Sequence, residues 1–109
     1  MLVRSDGTLH GVGFNYSGNL GLGDTTTRTV VTPVGTDTDW VDAKANGTYF
    51  SHALKSNGEL YSCGANGDGQ LGLGDVSGIQ IFTKVDGTWG TIILGQDNTF
   101  AGEAVYIWE

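Results

Sequence analysis

Basic residues are scarce in this chain. Five lysines and arginines stand against twelve aspartates and glutamates, a formal net charge of −7 over 109 residues. Neutralising a phosphate backbone needs clustered Lys and Arg, so no nucleic-acid partner is expected. Cysteine is almost absent: Cys63 stands alone, which excludes an internal disulfide and a cysteine-built zinc cage. No apolar run is long enough to cross a membrane as a helix, and no membrane partner is expected. Residues 1–20 lack the basic start and apolar stretch of a secretory signal. Without one, the acceptor patterns Asn15-Tyr16-Ser17 and Asn46-Gly47-Thr48 carry little weight for glycosylation. No window of eleven residues keeps a 3.6-residue period, so almost no helix is expected.

Glycine, by contrast, is abundant. Nineteen glycines are about two and a half times the usual share, spaced as turns rather than run together as a tract. Their spacing exposes a repeat. Residues 7–24, GTLHGVGFNYSGNLGLGD, return 51 residues later as 58–75, GELYSCGANGDGQLGLGD, with ten of the eighteen positions identical. Trp40 follows Asp24 by sixteen residues and Trp89 follows Asp75 by fourteen. Each Trp leads to a glycine-ended stretch and then to a hairpin-like segment, at residues 52–64 and, shortened, at 99–109; residues 2–13 form a third. A period of about 50 residues made of short strands and glycine turns is the mark of a propeller blade or a related array.

Local chemistry agrees. Ser5-Asp6-Gly7-Thr8 and Ser56-Asn57-Gly58-Glu59 read as two-residue hairpin signals of the type I′ kind. The runs Thr29–Thr32 (TVVT) and Thr91–Leu94 (TIIL) are rich in β-branched residues. Neither face of the hairpin arms is wholly apolar or wholly polar, as in strands covered on both sides. The fold expected is all-β, built of antiparallel propeller-type blades.

The pattern G-x-L-x-x-x-G-x-N-x-x-G-x-L-G-x-G-D, followed by Trp and a further hairpin, resembles the regulator of chromosome condensation repeat. The first copy departs at Asn19, where the family usually has Gln, and both depart at Val12 and Cys63, where it often has Trp. The resemblance implies four-stranded blades, about seven of which normally close a ring. The chain divides into repeat 1 at residues 7–57 and repeat 2 at 58–109, with residues 1–6 ending a preceding hairpin. Two blades leave faces and strand edges open, so an incomplete propeller is expected unless copies or partners complete it. Three copies would give six blades and four would give eight. The other resolution is a piece of a larger propeller.

Candidate chemistry is thin. The loops Gly18–Gly23 and Gly69–Gly74 lack the Lys-Ser/Thr of a phosphate loop and recur, which marks them as architecture. Asp24 and Asp75, one carboxylate per loop, are expected to cap loop amides rather than hold calcium. His52 is expected to pack and hydrogen-bond within a blade, as the resemblance implies, and His10 has no triad partner. Cys63 is expected to be buried, and the Trp and Tyr side chains other than Tyr16 to pack in the core or between blades. Asp37, Asp39 and Asp42 form the main acidic cluster. Tyr16, on a loop where the second copy has Gly67, joins Asp37 and Asp39 as the candidate partner contacts. Neither a catalytic residue nor a cofactor nor a metal is expected. The family's nucleotide exchange on a GTPase and its chromatin binding need loops and basic segments that this chain does not show. What remains is a non-enzymatic structural protein of a larger assembly, a homo-oligomer or a subunit among other proteins, cytoplasmic or virion-associated as in a bacteriophage particle. The alternative is a module recognising a protein or glycan.

Overall fold

Two hairpin turns set the frame. The computed structural model describes residues 1–46, 49–67, 69–74, 77–87, 89–94 and 104–108, with the backbone alone at 46, 89–94 and 104–108. In the first turn the Gly7 amide donates to the Arg4 carbonyl and the Arg4 amide to the Thr8 carbonyl, both at 2.9 Å. Gly58 and Lys55 repeat this pair of bonds at 3.0 and 2.8 Å. Only the glycines take positive φ, +83° at Gly7 and +87° at Gly58. Each turn is therefore a type I turn closed by a glycine bulge, not the type I′ turn expected from the sequence. The left-handed conformation falls on glycine alone, where it costs least. Asp6 and Asn57 instead accept from the amides two residues on, Thr8 at 3.1 Å and Glu59 at 3.0 Å.

From these turns nine strands are laid down among the described residues: β1 (Leu2–Val3), β2 (Leu9–Gly13), β3 (Arg28–Pro33), β4 (Trp40–Asn46), β5 (Phe50–Lys55), β6 (Leu60–Gly64), β7 (Ile79–Val85), β8 (Trp89–Leu94) and β9 (Ala104–Trp108). They form three antiparallel sheets in chain order, β1-β2-β3, β4-β5-β6-β7 and β8-β9. The middle sheet is a complete four-stranded blade. No helix occurs among the described residues, and the all-β blade architecture read from the sequence is the one observed.

The sequence period and the sheets are out of step. Repeat 1 supplies β2 and β3 to the first sheet and β4 and β5 to the second. Repeat 2 supplies β6 and β7 to the second sheet and β8 and β9 to the third.

β5 is buried at every position, as a central strand covered on both faces must be. One apolar cluster, Leu54, Leu60 and Val85 with Leu73 against it, lies within the second sheet and its loop. A second joins Leu9 and Val34 of the first sheet's region to Trp40 and Ala53 of the second, with Met1, Val3, Leu22, Ala43, Tyr61 and Phe82 packed around them. This second cluster binds one blade to the next. The outer strand β3 is largely exposed and β7 is exposed in part.

Candidate interaction surface

The junction between the first two sheets is made by a glycine loop. Residues 18–23 fold on themselves through Gly18 N–H to Asn15 O at 3.0 Å and Gly21 N–H to Gly18 O at 3.1 Å. Asn15, wholly buried, organises the turn. Its Nδ2 faces Asp24 O, Asp24 Oδ1 and Thr26 O at 3.0–3.1 Å, while its Oδ1 accepts from Leu20 N–H at 2.9 Å. This side chain is committed to the loop and is not presented as a glycosylation acceptor. Asp24 accepts from Thr26 N–H and holds Arg28 with both oxygens, at 3.1 and 2.8 Å. The Arg28 hydrogen bond keeps the Asp24 carboxyl below its ordinary value. Asp24 thus caps the loop, as its position in the repeat suggested.

The loop then crosses to the next blade. Gly23 N–H donates to Gln80 O at 2.9 Å, and Leu22 bridges Ile81 on the outer edge of β7. The approach is close: a Cβ on Gly18 would meet Gln80 and one on Gly21 would enter the Phe82 ring. Buried Cys63 reaches the same loop, its thiol donating to Asn19 O at 3.5 Å. Burial holds that thiol in its neutral form.

The second copy folds the same loop without the same neighbour among the described residues. Gly69, Gly72 and Leu71 repeat the internal bonds at 3.0, 3.1 and 3.0 Å, the last to Asn66 Oδ1. Yet a Cβ on Gly74 would meet nothing within 4 Å, and one on Gly72 only Val85 of its own blade, at 3.3 Å.

A second arrangement centres on Lys55, a residue that belongs to no motif of the sequence. Its side chain is about 10% exposed and its Nζ donates to Asp37 Oδ2 at 2.6 Å, with Asp39 Oδ1 at 3.5 Å. The ammonium lies over the Trp40 and Tyr61 rings at 5.0 and 5.1 Å. Burial presses its pKa down, but the Asp37 hydrogen bond and the neighbouring charges outweigh burial and raise it. Asp37 and Asp39 are thus brought together by a cation of the chain itself, and Asp42 lies 3.7 Å from Lys44. Among the described residues no group of three or more metal-ligating side chains is assembled. Beside Asp37 a cleft of about 260 Å³ opens between the blades, walled by Trp40, Tyr61, Ile81 and Phe82. Trp40 packs edge-on against Tyr61 at 5.2 Å and tilted against Phe82 at 5.9 Å.

Tyr16 stands apart from this group. It is 70% exposed and its ring neighbour is Phe14, 56% exposed, at 5.4 Å. Val12, Val30, Val31, Val41 and Ile81 are exposed as well. Tyr49, expected to pack, is 44% exposed, because it lies at the mouth of the β4–β5 hairpin beyond the paired residues. His52 is wholly buried, edge-on to Phe50 at 5.4 Å, and burial drives its pKa down to about 3 against a backbone hydrogen bond at Gln70. It is a structural imidazole. Asp75 and most of the Asn46-Gly47-Thr48 pattern lie outside the described residues, as do the side chains of Trp89, Tyr106 and Trp108. No helix of the described residues is long and apolar enough to cross a membrane.

Comparison with known proteins agrees with this geometry. A family model described as the regulator of chromosome condensation (RCC1) repeat matches residues 43–70, and a second of the same description matches residues 57–101. X-linked retinitis pigmentosa GTPase regulator of Mus musculus is 37% identical over 83 residues, 73% of this chain and 8% of that protein. Ultraviolet-B receptor UVR8 of Arabidopsis thaliana is 40% identical over 75 residues, 68% of this chain and 17% of that protein. The chain therefore spans a small part of these relatives' length. Among solved structures, that of human WBSCR16 superposes with a TM-score of 0.69 at 24% identity, over 83% of this chain and 25% of that one. That likeness concerns the fold.

Proposed function

This chain belongs to the regulator of chromosome condensation repeat family, and from that premise we propose that it works without catalysis, through protein contacts made by its blades. One observation carries the reading. The contact that joins the first two sheets, a glycine loop on an outer strand, is filled once inside the chain, while a second loop and a second outer strand stand without it among the described residues. Surfaces of this kind are closed by another protein of complementary shape.

Two versions of the reading differ in the surface used. In the structural version the chain is a subunit of an assembly, self-associated or joined to other repeats, cytoplasmic or carried in a particle such as a virion. In the recognition version exposed side chains take the partner: Tyr16 with Phe14 beside it, or the acidic rim at Asp37 and Asp39. The similarity to a protein named as a GTPase regulator supports a folded protein as the class of partner.

Quantitative affinity capture with the tagged chain tests the reading, comparing wild type, Tyr16→Ala, Asp39→Ala and Val30→Lys. Loss of a protein partner with Tyr16→Ala or Asp39→Ala, and unchanged self-association, selects recognition. Loss of association with Val30→Lys alone selects the structural version. A folded wild-type chain that retains no protein and stays monomeric overturns both.

A further inference from the structure

The two outer strands occupy the same place in the repeat, 51 residues apart. Stepping back by one period sets Thr29 at the position of Gln80, Val30 at Ile81 and Val31 at Phe82. In β7 these are the residues that receive the first glycine loop: Gln80 O accepts from Gly23, Ile81 bridges Leu22, and Phe82 fills the space above Gly21. In β3 their equivalents are exposed, Val30 at 69% and Val31 at 43%, where β7 has Ile81 at 55% and a half-buried Phe82. The loop that lacks a receiver among the described residues is likewise displaced by one period: Leu73 stands at the position of Leu22 and Gly74 at that of Gly23. The chain displays both halves of a contact whose completed form it already contains.

The geometry points to a head-to-tail interface between copies of this chain, in which the loop Gly69–Gly74 of one copy docks on β3 of the next. Gly74 N–H would donate to the neighbour's Thr29 carbonyl, and Leu73 would bridge its Val30. Gly72 would leave room for the side chain of Val31. The partial sheets agree with this placement. By register, β8 and β9 stand where β4 and β5 stand in the complete blade, and β2 and β3 stand where β6 and β7 do. One copy's β8-β9 and the next copy's β2-β3 add up to a four-stranded blade once β9 displaces β1, which holds the β5 place against β2 within the chain. Such an interface is heterologous, so it does not stop at a dimer: it gives a ring where the rotation closes and an open filament where it does not.

This inference rests on the reading of the chain as a contact module. Its test is the solution mass of the full chain by light scattering after size exclusion, with circular dichroism on each peak, for wild type, Val30→Lys and Gly72→Asn. Wild type should assemble. Each variant alone should fall to a β-rich monomer, since each loses one face. Mixed in equal amounts, the two should form a species of two copies, because the intact loop of V30K meets the intact β3 of G72N. If G72N fails to fold, Gly69→Asn replaces it, because its equivalent Gly18 leaves no room for a Cβ against Gln80. A folded wild-type monomer overturns the interface and leaves both faces to a different chain. Assembly that ignores both variants, or a mixture that does not pair, also overturns it while sparing the contact-module reading.

Discussion

At the scale of single residues, Asn15 does the most for the least surface. Its amide satisfies a chain turn that would otherwise bury unpaired carbonyls and an unpaired amide. Asn15→Ala should cost about 2–4 kcal/mol, read as a shift in the urea midpoint at constant slope. Asn15→Asp should cost at least as much, because it sets a carboxylate against Asp24 and two carbonyls. The sequence showed that Asn recurs at 15 and 66, and it showed nothing of why. The bonds run to residues nine and eleven positions away, and only the folded loop brings those together. Lys55 was equally hidden. Its partner Asp37 is 18 residues distant, and neither residue belongs to a motif. Cys63 and Asp24 were legible, since their places on a hairpin arm and at a loop end fix their surroundings, and His52 was legible through the family resemblance.

Among elements, the two glycine loops form a controlled comparison. Gly21 and Gly72 have nearly the same φ, +72° and +70°, so the backbone strain of adding a Cβ is shared, on the order of 1 kcal/mol at each site. Their neighbours differ, because Gly21 lies under Phe82 of the adjacent blade. Gly21→Ala should therefore be the more destabilising by about 2 kcal/mol or more in denaturant unfolding. Gly72→Ala should cost the fold little beyond that shared strain and fall mainly on association. Equal losses at the two sites would mean that the Phe82 contact carries no weight. Strand positions and blade type were legible here because glycine spacing and β-branched runs act locally. The turn type was not. Asp-Gly and Asn-Gly serve both a type I′ turn and a type I turn with a glycine bulge, and the choice followed from how the arms pair, with Arg4 and Lys55 each closing on the carbonyl four residues ahead.

For the molecule as a whole, acid should be the sensitive direction. An unfolded histidine takes up its proton near pH 6.5, whereas His52 resists until about pH 3. Between those values the unfolded state binds more protons, so stability falls as pH falls, by up to about 1.4 kcal/mol per pH unit from this group. Above about pH 6.5 the group contributes no pH dependence. Asp6, Asp24 and Glu59, held low by Thr8, Arg28 and Asn57 respectively, act in the same sense at lower pH still. Urea midpoints measured from neutral pH down to about pH 5 should decline, and His52→Gln should flatten that decline. An unchanged slope in the variant would place the proton uptake elsewhere. The offset between period and sheet has a further meaning, best seen as brickwork. Each 51-residue unit lies half in one course and half in the next, so every joint is crossed by unbroken chain. Units can be added or removed in whole periods without cutting a blade, and any such change in length leaves the same two unfinished edges at the ends of the row. Growth of the array by duplication therefore never needs a new interface; it only moves the existing one outward.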